Sequence, residues 1–174
     1  IIQCEGARKR AKPPRCDIDF KTIEEEDPKL QEILQDYIIE LEPINGKDDV
    51  IQYSSEGDEY LNFQSYEKIV TFFKRFGERV KRISISYESH GSNVPHKEIN
   101  RNIINRYAGN LEELQIRTYS DKGFWEEISI GSKPIEFSKV TKFKINSYNK
   151  QEKFDLKLIF PNLKSFYLRG NVVD

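Results

Sequence analysis

The chain has 174 residues, with 37% hydrophobic side chains, 33% charged side chains and a formal net charge of −1 at pH 7. This length suffices for one domain with its own core, and the composition predicts a water-soluble surface over a modest interior. No apolar run approaches the roughly 18 residues that a membrane helix needs, and no secretory signal is recognisable. We therefore expect an intracellular protein, cytoplasmic or nuclear, with no membrane partner.

The first twenty residues form a basic, proline-containing segment that should be flexible. Its cationic side chains are Arg8, Lys9, Arg10, Lys12 and Arg15. We interpret residues 1–20 as a solvated tail or linker, with a nuclear-import or nucleic-acid contact as the alternative. Nothing aromatic is interleaved to stack bases, and the acidic run Glu24-Glu25-Glu26-Asp27 cancels the charge, so the sequence does not favour nucleic-acid binding. Cys4 and Cys16 could in principle pair, but their spacing fits no metal site or disulfide framework, and we interpret them as free thiols.

Residues 21–64 are predicted to form an N-terminal capping region that is structural rather than functional. After Asp27-Pro28, which can cap and open a helix, apolar residues continue at helical spacing from Leu30 to Leu41. Asn45-Gly46 is a strong turn signal. Residues 50–53 and 60–63 are short strand candidates on either side of Gly57.

A spaced apolar triplet recurs through the second half of the chain. Its four copies are Val80/Ile83/Ile85, Leu111/Leu114/Ile116, Val140/Phe143/Ile145 and Leu163/Phe166/Leu168. The first two copies follow segments with helical apolar spacing, 66–76 and 99–107, and each segment ends at a glycine, Gly77 or Gly109, where we expect a left-handed C-cap. The third copy lacks a clear helix because Lys133-Pro134 interrupts its approach. The spacing predicts stacked helix-turn-strand units; the alternative is an ordinary α/β or α+β domain with amphipathic strands.

The unit from Phe160 to Asn171 gives the best single match to a known repeat. Its Asn171 follows Leu168 by three residues, where the leucine-rich-repeat pattern places an asparagine. Together with residues 72–85 and 103–116, this unit resembles the long, irregular repeats of F-box and leucine-rich-repeat proteins, over roughly 65–171. The resemblance implies an α/β fold in which residues 65–174 form a short leucine-rich-repeat solenoid of about four irregular repeats. Its sheet is parallel, and its helices lie on the convex side.

In that family the F-box recruits a ubiquitin-ligase scaffold and the repeats hold the substrate. The resemblance therefore implies a substrate-recognition segment and an adaptor role in a ubiquitin-ligase complex. An F-box itself is not evident in this sequence. The sequence contains no methionine, and we read it as a piece of a longer protein.

Strand alternation predicts which side chains a partner could touch. If the triplets point inward, the residues between them line the concave face, and five of these twelve are basic while one is acidic. We expect a positive stripe that binds a protein with an acidic patch, and the alternative is a merely solvated strand face. The candidate binding residues are Arg82, Ser84, Arg117, Lys142, Lys144, Tyr167 and Arg169.

The sequence offers little support for catalysis. His90 and His96 flank a predicted loop without metal-ligand spacing, and there is no phosphate-binding glycine loop, nucleophile elbow or zinc signature. We interpret Trp125 as a core or cap aromatic side chain rather than a ligand platform. We predict no catalytic residues, no metal and no cofactor, and therefore a non-catalytic protein–protein interaction module. The alternative is a compact α/β enzyme or ligand-binding domain of unknown reaction.

Overall fold

The described residues of the chain fold as an α/β structure around one seven-stranded, mostly parallel sheet. The computed structural model describes residues 14–44, 46–87, 94–118, 135–147 and 155–170, with the side chains of residues 87, 94–97 and 147 excepted. The elements in chain order are α1 (Pro28–Asp36), β1 (Ile38–Glu40), β2 (Val50–Tyr53), β3 (Glu59–Asn62), α2 (Tyr66–Phe76), β4 (Arg82–Tyr87), α3 (Val94–Tyr107), β5 (Glu113–Thr118), β6 (Lys142–Ser147), α4 (Leu156–Ile159) and β7 (Ser165–Arg169). Short 3-10 turns follow α2 and α3, at Gly77–Arg79 and Ala108–Asn110.

The first helix begins as predicted but is shorter. The Asp27 side chain accepts a hydrogen bond from the backbone N–H of Lys29, and proline stands in the first turn. The prediction that the helix continues to Leu41 is wrong beyond Asp36, because residues 38–40 pair as strand β1 with β3 and β4. Sheet pairing therefore overrides an apolar spacing that is compatible with a helix.

The two strands predicted on either side of Gly57 are confirmed. β2 and β3 pair antiparallel, and Gly57 in their connection has a φ of 87°. A positive φ of this size is readily adopted only by glycine among the common residues. The hairpin lies at one end of the sheet, beside β1.

The helix predicted at 66–76 is confirmed, but the reason for the glycine after it differs. Gly77 has a φ of −58°, in the right-handed region, so the expected left-handed cap is wrong. A Cβ at position 77 would instead lie 2.4 Å from Cζ of Tyr107, whose hydroxyl donates to the Phe73 carbonyl at 2.8 Å. Gly77 is needed because α2 and the end of α3 approach closely there. Gly109 lies inside a 3-10 turn rather than in a left-handed cap.

The sheet order is β2-β3-β1-β4-β5-β6-β7, and β4 to β7 are parallel neighbours in chain order. The triplet residues align across these four strands without a shift. Ile83 is level with Leu114, Phe143 and Phe166, and in the next row Ile85 is level with Ile116, Ile145 and Leu168. The register predicted from the triplets is therefore present in the folded chain.

The same backbone hydrogen bond precedes each of these four strands. The N–H of each triplet's first residue bonds the carbonyl three residues earlier: Val80 to Gly77, Leu111 to Ala108, Val140 to Phe137 and Leu163 to Phe160. Successive units are then joined by paired bonds to a single carbonyl. Glu112 and Glu113 bond the Lys81 carbonyl, Thr141 and Lys142 bond that of Glu112, and Lys164 and Ser165 bond that of Thr141. Four segments of different sequence thus share one local conformation.

The first three apolar triplets and the buried faces of the helices form one core, and Leu163 of the fourth triplet packs against it. Phe72, Phe73 and Phe76 of α2 are almost fully buried, and Phe143 stacks on Phe160 with ring centroids 4.6 Å apart. Burial of this apolar surface is the main favourable contribution to folding. The core does not cover the apolar side chains of β7. Phe166 and Leu168 are each 45% exposed, although the residues level with them on β4 to β6 are buried.

The predicted flexible segment at 1–20 is too long at its C-terminal end. Cys16 and Phe20 belong to the core, and the Phe20 ring meets Phe63 and Phe72 edge to face. Arg75 of α2 also donates to the carbonyls of Phe20 and Ile23. Residues from 14 onward are therefore packed against the domain, and residues 1–13 lie outside the described part of the chain. Within the described ranges, no helix is long and apolar enough to span a bilayer.

Candidate functional site

The polar face of the sheet collects side chains from β4 to β7. We call it the open face, and its residues on these strands are Arg82, Ser84, Ser86, Glu113, Gln115, Arg117, Lys142, Lys144, Asn146, Ser165, Tyr167 and Arg169. Strand pairing places Ser84, Gln115, Lys144 and Tyr167 in one row. All seven candidate binding residues from the sequence lie on this face, since they alternate along their strands with the apolar triplet residues.

The first row of the open face is an ion-pair network. The Arg82 Nε lies 3.0 Å from Oε2 of Glu113, and the Lys142 Nζ lies 3.2 Å from Oε1 of the same carboxylate. Gln115 also donates to Glu113 Oε1, at 2.7 Å. Glu113 is buried, so these three donors compensate a carboxylate that has little access to water.

The turn between β2 and β3 reaches across this face. Asp58 lies 2.8 Å from the Nζ of Lys144 on β6 and 3.3 Å from Arg82 on β4, and Glu56 lies 3.2 Å from Lys144. Between β3 and β6 lie three other strands, so a flat sheet would separate the two by about 19 Å. The hairpin therefore leans over the open face, or the sheet bends towards it. The Tyr60 hydroxyl bridges the same gap by donating to Oε1 of Gln115 on β5 at 2.8 Å.

These contacts set the protonation of the Lys144–Asp58 pair. Burial raises the pKa of Asp58, but the hydrogen bond and charge of Lys144 outweigh it, and the pKa is lowered overall. For Lys144, desolvation lowers the pKa while the hydrogen bonds to Asp58 and Glu56 raise it, and the net pKa is raised. Both groups are therefore charged at neutral pH, and they hold the hairpin to the sheet.

The expected excess of positive charge needs a correction. Arg82, Lys142, Lys144 and Arg117 each form an ion pair with a carboxylate of this chain. Three of those carboxylates, Glu40, Glu56 and Asp58, come from the region predicted to be a structural cap. The basic stripe is thus largely neutralised between β4 and β6. Arg169 on β7 is exposed and forms no ion pair within the described ranges.

Glu40 on β1 is the most unusual charged group of the open face. Its side chain is 2% exposed, and Oε2 accepts a hydrogen bond from Arg117 on β5, whose own side chain is 49% exposed. Desolvation raises the pKa of Glu40 to about 7, although the Arg117 charge and the nearby Ser84 hydroxyl both lower it. The effect of burial on the Glu40 pKa exceeds that of the Arg117 charge. The reason is that one guanidinium replaces only part of the favourable interaction with water that the carboxylate loses.

Sequence reasoning missed Glu40, Glu56, Asp58 and Tyr60 as parts of this face. A signal existed for Glu40, which is the lone charge in the apolar run Tyr37-Ile38-Ile39-Glu40-Leu41. No local pattern shows that Glu56 and Asp58 reach β6, since that contact depends on how the hairpin is oriented in the folded chain.

Between the hairpin turn and the sheet lies a cleft of about 290 Å³. We call it the hairpin cleft. Its walls are mostly polar, and its residues are Glu40, Gln52, Tyr53, Ser54, Ser55, Glu56, Tyr60, Gln115, Ile116, Arg117, Lys144, Asn146, Tyr167 and Arg169. Tyr53 and Tyr167 are exposed large aromatic side chains. The cleft is large enough for a few residues of an extended peptide or for a small polar ligand.

Several residues discussed from the sequence lie outside the described side chains. They are His90, His96, Trp125 and Asn171. Among the side chains that are described, no cluster of histidine, cysteine, aspartate or glutamate has the geometry to hold a metal ion. No protein-family model, curated protein sequence or solved structure matches the chain. The resemblance to F-box and leucine-rich-repeat proteins therefore rests on the quoted residues alone.

Proposed function

We propose that this chain is a non-catalytic protein–protein interaction module whose open face is the binding surface. The observation that carries the proposal is the hairpin cleft, which groups aromatic and arginine side chains from separate strands at an exposed position. Tyrosine and arginine are enriched among the residues that dominate binding energy at protein interfaces. In this proposal the partner contacts Arg117, Tyr167 and Arg169 directly.

We further propose that residues 65–174 form a short leucine-rich-repeat solenoid of about four irregular repeats, with residues 21–64 as its N-terminal cap. Its support is the repeated backbone hydrogen bonding and the unshifted register of β4 to β7. In a repeat protein each unit buries its apolar ridge against the next unit, which makes the other face a continuous binding surface.

The resemblance extends the proposal to a substrate-recognition segment of a ubiquitin-ligase adaptor in the cytoplasm or nucleus. The repeat-like units support this role only as a class, and they do not specify a partner. In this proposal the partner presents an acidic patch. Since four of the basic side chains already have carboxylate partners, the acidic patch should contact the β5–β7 end of the open face.

A second candidate is a small-ligand or enzyme domain that uses the same cleft. The observation in its favour is Glu40, because a buried carboxyl with a pKa of about 7 in a cleft is a common feature of active sites. A screen of uncharged and charged small metabolites by thermal shift separates the two candidates. Stabilisation by one metabolite, lost in Glu40→Gln and Arg117→Gln, would favour the ligand-binding domain.

Affinity capture with the full-length protein, followed by binding measurements with the purified partner, tests the interaction module. We expect Arg169→Glu and Tyr167→Ala to weaken the partner's affinity by about tenfold or more, as hot-spot substitutions do. Lys74→Glu makes the same charge change at an exposed position of α2, away from the open face. It is the matched control and should bind normally. Recovery of a cullin-ligase scaffold subunit would support the adaptor role.

Salt dependence provides the decisive readout for the acidic partner. Charge reversal at Arg117 or Arg169 should weaken binding more at low salt than at high salt, because screening reduces the interaction between exposed charges. Equal affinities of the variants and the unmodified protein at both salt concentrations would contradict the proposed surface.

A further inference from the structure

A row of buried polar groups lies on the open face beside the hairpin cleft. Strand pairing places Asn62, Glu40 and Ser84 side by side on β3, β1 and β4, and all three residues are buried. Within the described part of the chain, Asn62 Nδ2 and Glu40 Oε1 have no partner with hydrogen-bond geometry, and Ser84 Oγ lies close enough to Glu40 to lower its pKa without meeting that geometry. Because an unpaired buried polar group is costly, an added hydrogen-bond partner at this row would be stabilising.

Arg117 connects this row to the surface. One of its nitrogens bonds Glu40, while about half of its side chain remains exposed in the cleft. Arg169 lies in the same row of the sheet, two strands further, so the two Cα atoms are about 10 Å apart. Tyr167 and Tyr53 present aromatic surface in the same cleft. A carboxylate that enters the cleft can contact two arginines. Arg169 forms no ion pair within the described ranges, whereas Arg117 is already hydrogen-bonded to Glu40.

We propose that the hairpin cleft binds an acidic peptide through a side-chain carboxylate that replaces Glu40 as the partner of the Arg117 guanidinium. This inference deepens the proposed function and rests on it, since it names the chemistry of the partner segment. The guanidinium offers several donors in a planar fork, so it can hold the incoming carboxylate by two hydrogen bonds. Arg169 then supplies the second positive charge, and Tyr167 packs against the peptide.

Displacement changes the protonation of Glu40. Without Arg117 the buried carboxylate loses the charge that holds its pKa down, and the pKa rises above its value of about 7. The bound state therefore carries a proton on Glu40 that the free state only partly carries at neutral pH. Protonated Glu40 can also donate a hydrogen bond to the Ser84 hydroxyl beside it. Binding takes up a proton, so affinity rises as the pH falls through about 7.

The other charged and titratable groups near Glu40 do not produce this slope. They are Arg117 from β5, Glu42 from the segment after β1, Tyr66 from the start of α2 and, across the hairpin cleft, Tyr53, Glu56, Tyr60, Lys144 and Arg169. Burial raises the pKa of Tyr66 to about 12 and also raises that of Tyr60, hydrogen bonds to Asp58 and Glu56 raise that of Lys144, and an arginine stays protonated throughout, so none of these titrates between about pH 6 and pH 8. The other groups, Glu42, Tyr53 and Glu56, are present unchanged in every variant of the test, so their contribution cancels in the comparison.

Two synthetic peptide pools test the proposal on the whole chain. Both have randomised uncharged flanks, an amidated C-terminus and a neutral fluorophore, and they differ only in a central Glu or Gln. Fluorescence anisotropy should show the Glu pool binding about tenfold tighter than the Gln pool at about pH 6. For the Glu pool, the affinity should fall about tenfold between about pH 6 and about pH 8, which is the change in the protonated fraction of Glu40.

Three variants identify the groups. Arg117→Gln should lose the preference for the Glu pool. Glu40→Gln should bind the Glu pool at about pH 8 as tightly as the unmodified protein does at about pH 6, with no slope between them. Glu26→Gln removes an exposed carboxylate outside the cleft and is the matched control, which should keep the slope.

Equal binding of the two pools, or a pH slope that persists in Glu40→Gln, overturns the inference. If a partner obtained by affinity capture still requires Tyr167 and Arg169 in that case, the proposed function stands without this mode of recognition. If that partner instead ignores the open face, the proposed function fails as well. Circular dichroism of each variant establishes that the fold is intact before binding is measured.

Discussion

Replacement of Glu40 by glutamine should stabilise the protein at alkaline pH. Burial raises the carboxyl pKa from 4.5 to about 7 in the folded chain. In the unfolded chain the group is hydrated and has its ordinary pKa. The folded state therefore holds more protons than the unfolded state between these two values, so stability falls as the pH rises through this range.

The size of the effect follows from the pKa difference. Each pKa unit corresponds to about 1.4 kcal/mol, so the ionised carboxylate costs the folded state about 3 kcal/mol once the pH is well above 7. Glutamine has a similar shape and no charge, and it avoids this cost at every pH. Removal of the partner leaves Arg117 without Glu40, but that guanidinium is 49% exposed and can be hydrated. Below about pH 4.5 the two proteins should therefore be about equally stable.

Urea denaturation at a series of pH values measures this difference directly. The unfolding free energy of the unmodified protein should decrease between about pH 5 and about pH 8 relative to that of Glu40→Gln. Glu26→Gln, in which an exposed carboxylate is removed, should follow the unmodified protein. If Glu40→Gln is less stable than the unmodified protein at about pH 8, the Arg117 pair outweighs desolvation and the reasoning is refuted.

Two further predictions concern packing, and both are measured by chemical denaturation. Gly77→Ala should destabilise the fold by about 1–3 kcal/mol, since the new Cβ would lie 2.4 Å from the buried Tyr107 ring. Gly109→Ala is the control and should be close to neutral, because its Cβ would have no neighbour within 4 Å. Equal effects of the two substitutions would show that contact with the Tyr107 ring is not the reason for glycine at position 77. Phe143→Ala should cost about 3–5 kcal/mol because the ring is fully buried, and Phe166→Ala roughly half of that because the ring is 45% exposed; equal losses would indicate that the β7 end is covered in solution.

The strand register was predictable from the sequence because it depends on a short local pattern. The triplets place the apolar residues of each strand on one face, which is buried on β4 to β6, and a shift by one residue would turn them to the solvent. Phe143 and Ile145 therefore specify their row positions whatever surrounds them. The helix at 66–76 was predictable for the same reason, since its apolar spacing is local.

The end of the first helix and the role of Gly77 depended on contacts between distant segments. Tyr37 and Leu41 continue a helical spacing, but pairing of residues 38–40 with β3 and β4 contributes more than that spacing does. Gly77 is required by a tyrosine thirty residues further along the chain. Neither contact leaves a signal in the neighbouring sequence.

The sequence by itself determined which side chains share the open face, because alternation along a strand is a property of the backbone. Only the tertiary structure decided the charge of that face. The β2–β3 hairpin places Glu56 and Asp58 against Lys144, and β1 places Glu40 against Arg117. Coulomb interaction depends on distance in space rather than on separation along the chain. A stripe that is basic in sequence is therefore largely neutral once folded, with Arg169 and the exposed half of Arg117 left to meet a partner.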